Sequence, residues 1–146
     1  MSATDVFENG LLSLIFENAN YANVGDATGL RGSTTAGVFW ISLHTATLGD
    51  TSAQNTSEPT YTGYARKSVA RSTAGWTVTT GTVSNDAAVT FDQCTAGSGT
   101  VTDFGIGSDQ TTAGNLFIYG ALSASRAISS GITPEFAAGQ LQVSLT

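Results

Sequence analysis

His44 is the only histidine and Cys94 the only cysteine, so the chemistry open to this chain is narrow from the start. Zinc sites draw on several His or Cys ligands, and one of each falls short. A Ser-His-Asp set would need His44 as its base, yet Ser and Asp are too plentiful for any one of them to stand out as its partner. His44 is therefore read as the end of a strand beside a loop. Cys94 follows the apolar segment Val89-Thr90-Phe91 and has no second cysteine, so no intrachain disulfide can form. With no basic neighbour to favour its thiolate, it reads as a buried, inert thiol. Asp86, Asp92, Asp103 and Asp109 fall in or near predicted turns and read as turn formers rather than as a paired glycosidase set or a calcium loop. Gly105-Ile106-Gly107 is followed by no phosphate-loop lysine. Trp40, Trp76, Tyr61, Tyr64 and Tyr119 could stack on a sugar, but aromatic residues in strands are read first as core. No catalytic set, cofactor or metal is expected, and the chain is read as a non-enzyme.

The charge pattern narrows the partners. The formal net charge is -6, and Arg31, Arg66, Lys67, Arg71 and Arg126 are the only basic residues. A broad phosphate-binding face needs clustered Lys and Arg, so no nucleic-acid partner is expected. Arg66-Lys67 with Arg71 forms the one basic cluster, read as a solvated strand or as an ion-pair contact to a partner. Only 11% of residues are charged, less than half of the roughly 25% of ordinary domains. Polarity comes instead from Ser and Thr, about a quarter of the chain, and from 17 glycines. Such a surface can lie against a neighbour at a small desolvation cost, which favours assembly. No apolar run approaches the roughly 20 residues of a membrane helix, and the acidic N-terminus lacks the features of a secretion signal. Synthesis in a cytoplasm and no membrane partner are expected. Asn55-Thr56-Ser57 then matches the glycosylation pattern by chance.

The elements that would position these residues are mainly strands. Phe7, Leu11, Leu14 and Ile15 recur at helical spacing, with Leu12 and Phe16 widening the stripe. Ser2 or Thr4 can cap this helix, and Asp5 and Glu8 suit its positive end. Gly10 weakens it by about 1 kcal/mol relative to Ala. The helix packs on its own domain or docks on another subunit. Residues 19–36 are polar and Gly-rich, read as a long loop or extended arm. Val38 to His44 alternates as a central strand, and Thr45 to Thr60 is a second long loop. Tyr61 to Arg71 reads as a polar edge, and Trp76–Thr80 and Val83–Phe91 as neighbours about a turn near Gly81. Val101–Ile106 and Leu116–Leu122 follow, with Leu116-Phe117-Ile118-Tyr119 apolar on both faces and expected in the core. Leu141, Val143 and Leu145 close the chain. About eight strands without a fixed repeat suit an antiparallel β-sandwich or jelly roll with a short N-terminal α-helix. Two parts are expected: a helix and arm over 1–36, and a β-sandwich over 37–146.

Several segments, in order, carry a resemblance. They include Phe7-Glu8-Asn9-Gly10-Leu11-Leu12, Trp40-Ile41-Ser42-Leu43-His44-Thr45-Ala46, Tyr64-Ala65-Arg66-Lys67-Ser68-Val69 and Gly114-Asn115-Leu116-Phe117-Ile118-Tyr119-Gly120-Ala121-Leu122. Together they resemble small structural proteins of tailed-bacteriophage virions, described as head-decoration (cement) or tail-fibre components. The chain departs from that pattern at Thr47-Leu48-Gly49-Asp50, where an acidic Pro-Gly turn is usual, and in a longer arm over 19–36. The resemblance implies a virion part. The leading expectation is a capsid decoration protein that stabilises the head from outside, bound to the major capsid protein or to copies of itself, a trimer suiting threefold positions. The alternative is a tail-fibre or baseplate component that recognises the host surface. Phe7, Leu11, Leu14, Ile15, Arg31, Arg66, Lys67 and Arg71 are the expected partner-binding residues.

Overall fold

The computed structural model describes residues 2–145. One helix, α1 (Asp5–Phe16), precedes nine strands: β1 (Val38–His44), β2 (Lys67–Ala70), β3 (Trp76–Thr79), β4 (Thr82–Asn85), β5 (Val89–Thr90), β6 (Ser98–Gly107), β7 (Leu116–Ser129), β8 (Glu135–Phe136) and β9 (Gln142–Ser144). The sheets are antiparallel and the protein is mainly β with one short N-terminal helix, as its Thr- and Gly-rich composition predicts. The chain divides into two interleaved compact units. One takes the chain up to Val38, Ala70–Val89 and the stretch from Phe136 onward; the other takes Phe39–Val69 and Thr90–Glu135.

In the first unit α1 packs on its own sheet, which has strand order β3-β4-β9. Its buried positions are Glu8, Leu12 and Phe16, spaced by four. Of the expected stripe only its widening edge, Leu12 and Phe16, is fully covered, whereas Phe7 stays 47% and Ile15 36% exposed. The hairpin decides this rotation. Phe16 meets Trp76 edge-on at 4.8 Å, and Asn9 Oδ1 accepts the Gly81 N–H at 2.8 Å. Thr80 and Gly81 both take left-handed backbone (φ 52° and 69°), the pair of angles that a two-residue hairpin turn of this hand requires. A Cβ at Gly81 would fall 2.2 Å from Glu8 Oε2. Thr4 occupies the N-cap position, but its side chain makes no capping bond; only its carbonyl is used, accepting the Glu8 N–H at 2.9 Å.

Gly10 has a reason that helix propensity alone does not supply. A Cβ there would lie 2.5 Å from the Tyr21 ring, so the glycine lets the ring lie on the helix. Gly10→Ala should strengthen α1 by about 1 kcal/mol while expelling Tyr21. The expected result is a melting temperature close to wild type with faster proteolysis within residues 19–36. Unchanged proteolysis would show that the ring is not held there.

That segment is not an extended arm. Tyr21 and Leu30 exchange backbone hydrogen bonds at 2.8 and 2.9 Å. Asn18, with φ 60°, donates to Ser33 O at 2.9 Å and accepts the Ser33 N–H at 2.6 Å. Asn20 Oδ1 accepts the Gly32 N–H at 3.0 Å. Asn side chains replace the missing ladder, and the chain closes into a loop whose two ends meet.

The second unit is built on a sheet of order β2-β1-β6-β7. β1 is interior, as its alternation predicts, and Ile41↔Ile106, Leu43↔Phe104 and His44↔Asp103 face one another in register with β6. β2 is a short polar edge, also as expected. β7 corrects the reading of Leu116–Tyr119 as core: it is the other edge, and Phe117 and Tyr119 are 53% and 37% exposed. An apolar run on both faces marks a central strand only when partners flank it, and β7 has a partner on one side.

Candidate assembly surface

Arg71 follows β2 and belongs to the first unit. Its guanidinium gathers the carbonyls at the end of α1: Nη2 donates to Leu14 O at 2.6 Å, and Nε to Ile15 O. Nη1 donates to Asn18 Oδ1 and to Ser33 Oγ, both at 2.7 Å. The last turn of α1 contains no basic residue, so a cation distant in sequence meets both its unpaired carbonyls and its dipole. Arg71 thus ties the helix end to the root of the loop. These side-chain donors are engaged within the unit.

Arg66 and Lys67 lie in the second unit. Arg66 is 4% exposed and forks onto Glu58, with Nε–Oε1 and Nη2–Oε2 both 2.8 Å, while Nη1 donates to Asp109 O at 2.7 Å. Tyr64 donates its hydroxyl to the same Glu58 Oε1 at 2.7 Å. The hydrogen bond to Glu58 raises the Arg66 pKa, and burial pushes the Tyr64 hydroxyl well above its ordinary value. Lys67 Nζ meets both oxygens of Asp92 at 2.9 Å. The basic cluster is therefore divided among internal contacts. Arg31 is exposed and makes no ion pair with another described residue.

Both units also leave large apolar side chains open. In the first, Val6 (76% exposed), Phe7 and Ile15 on α1 and Leu30 (40%) on the loop face solvent beside Arg31. Leu11 and Leu14 are half-buried, and Phe7 leans on Tyr21 with ring centroids 6.2 Å apart. In the second, Phe117, Tyr119 and Ile132 (45%) are open. Sequence reasoning misses Phe117 and Tyr119, because the residues around them look like core; only the strand order reveals them.

The histidine and the cysteine are enclosed. His44 is fully buried; its Nε2 pairs with Ser42 Oγ at 2.8 Å and its Nδ1 with Thr56 O at 2.7 Å. Since a carbonyl only accepts, Nδ1 carries the proton and Ser42 donates to Nε2. Gly105 allows this pair, as a Cβ there would lie 2.7 Å from Ser42 Oγ. Burial lowers the His44 pKa against the opposing pull of Thr56 O and Glu58, with Arg66 and Asp103 adding smaller, opposed effects. The unfolded chain therefore binds a proton that the fold declines. Stability from His44 is complete above the unfolded value of 6.5 and falls as pH drops below it, by up to about 1.4 kcal/mol per pH unit until the folded pKa is reached. Urea titrations at neutral pH and near pH ~5 should show a smaller acid loss for His44→Gln than for wild type; equal losses would refute this.

Cys94 is buried. Among the described residues no group of three or more His, Cys, Asp or Glu could hold a metal ion, and no helix is long and apolar enough to cross a membrane. The described surface thus offers exposed apolar side chains on an antiparallel scaffold, and the family match is to a structural component of a phage virion. The chain belongs to the family described as Podophage GP4 fiber I protein gp80, whose model matches residues 2–144. No curated protein matches the chain.

Proposed function

We propose that this protein is a non-enzymatic component of the phage tail fibre or baseplate that works by assembly and takes part in recognising the host surface. The observation that carries this reading is the family match over residues 2–144, whose description is that of a fibre protein. The exposed apolar residues on α1, its loop and β7 support it, since such rings in solvent gain by being covered. Copies of this chain and other virion proteins are the partners that fit a surface so poor in charge. The family description favours this role over head decoration. Immunogold labelling of intact particles tests it: label on the tail is expected, and label spread over the head would overturn it.

A further inference from the structure

β7 is 14 residues long and pairs with β6 on one side alone, since it ends the sheet. Its register with β6 breaks twice. Ile106 faces Ile118 but Gly107 faces Leu116, so Phe117 is an extra residue; Val101 faces Arg126 but Asp103 faces Ala121, so Leu122–Ser125 stand opposite Thr102 alone. Two regular runs remain, Ile118–Ala121 and Arg126–Ser129. No other described residue bonds to the backbone of these runs, except that the Ser129 carbonyl accepts the Ile132 N–H at 3.0 Å. Among the 14 residues Arg126 is the only charge, and there is no proline. Open edges are ordinarily blunted by several charges, by proline or by bulges, and only the bulges are present here.

The larger of the two breaks lies midway between the runs. The two runs have equal length and are equidistant from the middle of Leu122–Ser125. We propose that β7 pairs antiparallel with β7 of a second copy about a twofold axis through that excursion, joining two four-stranded sheets into one. Tyr119 then faces Ile128 of the second copy, Ala121 faces Arg126, Ile118 faces Ser129 and Gly120 faces Ala127.

Two linked consequences of strand alternation support this register. The first is facing. Tyr119, Ala121, Arg126 and Ile128 lie opposite Gly105, Asp103, Val101 and Gly99 of β6, alternate residues of one strand, which project to one face. The proposed pairs join this set to itself. Ile118, Gly120 and Ala127 face Ile106, Phe104 and Thr100, and with Ser129 they make up the opposite face, also joined to itself. The second is hydrogen bonding. Along a strand the N–H and C=O of alternate residues point to the same side, so whichever set points away from β6 meets its own kind across the axis. About eight backbone bonds result, two for each hydrogen-bonded pair. The occupant follows from the bulge. A regular foreign strand would meet the excursion and lose register, whereas a second copy brings a matching excursion to the same place. The two Arg126 side chains face Ala121 rather than each other, so no like charges meet.

Ala121 and Arg126 are both exposed, which allows cysteine at either. An oxidised mixture of Ala121→Cys and Arg126→Cys chains should give a disulfide-linked dimer. Tyr119→Cys alone should not, because its copy would lie across from Ile128, six β6 residues away from Tyr119 itself, about 20 Å along the strands. Wild-type protein, with its buried Cys94, is the blank, and in sedimentation velocity it should shift from monomer to dimer as concentration rises. A species that stays monomeric, a trimer, or cross-linking by Tyr119→Cys alone would overturn the proposal. These readings use purified protein and so stand or fall separately from the location of the protein on the particle.

Discussion

Arg66→Ala is expected to lower the unfolding free energy by about 3–5 kcal/mol, the usual consequence of removing one partner of a buried ion pair. Arg66 is 4% exposed, and its guanidinium holds both Glu58 oxygens and the Asp109 carbonyl. Without it, the half-buried Glu58 carboxylate, 18% exposed, keeps only the Tyr64 hydroxyl to answer it, and the Asp109 carbonyl loses a donor. The loss is mainly the cost of a stranded charge, not the intrinsic strength of the pair. The double variant Arg66→Met/Glu58→Leu should therefore recover much of the stability. Chemical denaturation of the three proteins checks this, and a single variant within about 1 kcal/mol of wild type would contradict the burial argument.

Arg71→Ala should cost about 2–4 kcal/mol, because hydrogen bonds to a charged group are each worth about 1.5–3 kcal/mol before partial rescue by water. The damage should be local. Leu14 and Ile15 lose the donor to their carbonyls, and Asn18 and Ser33 lose their shared partner. Hydrogen exchange should quicken in the last turn of α1 and at the loop root, and less elsewhere. Arg71→Lys should restore little, since an ammonium cannot spread planar donors over carbonyls on one side and Asn18 and Ser33 on the other. Full rescue by lysine would mean that charge alone holds the helix end.

These two arginines also show how far residues speak for themselves. The alternation from Val38 to His44 marks β1 because each face of an interior strand is packed, and burial leaves its imprint on every position. Thr80-Gly81 marks its hairpin because few residues tolerate two left-handed angles in succession. The helix is visible for a similar reason, though not its orientation. Phe7 and Leu12 are equally apolar, and the choice between them belongs to Trp76 and Asn9, which periodicity does not register. Arg66, Lys67 and Arg71 look like a patch because they are close in sequence. Each reaches a partner far along the chain: Glu58 or Asp109, Asp92, and the end of α1. Leu116–Tyr119 misleads for the reverse reason, since a strand awaiting a neighbour carries the same residues as one that has it. Exposed apolar residues thus fell within the visible stripe of α1, at Phe7 and Ile15, and were hidden on β7.

The interleaving of the two units has a consequence for how the protein is made. Thr82–Ser84 of β4 pair with Gln142–Ser144 of β9, and Asn85 holds Leu141 and Ala137 through its side chain. During synthesis, α1 and its hairpin emerge early but must wait for Gln142–Ser144 before their sheet is whole. At roughly 5–20 residues per second, that leaves several seconds in which Leu12, Phe16 and Trp76 have an unfinished support. Contacts this distant slow folding, so a nascent chain halted before residue 140 would present its most apolar surface to chaperones.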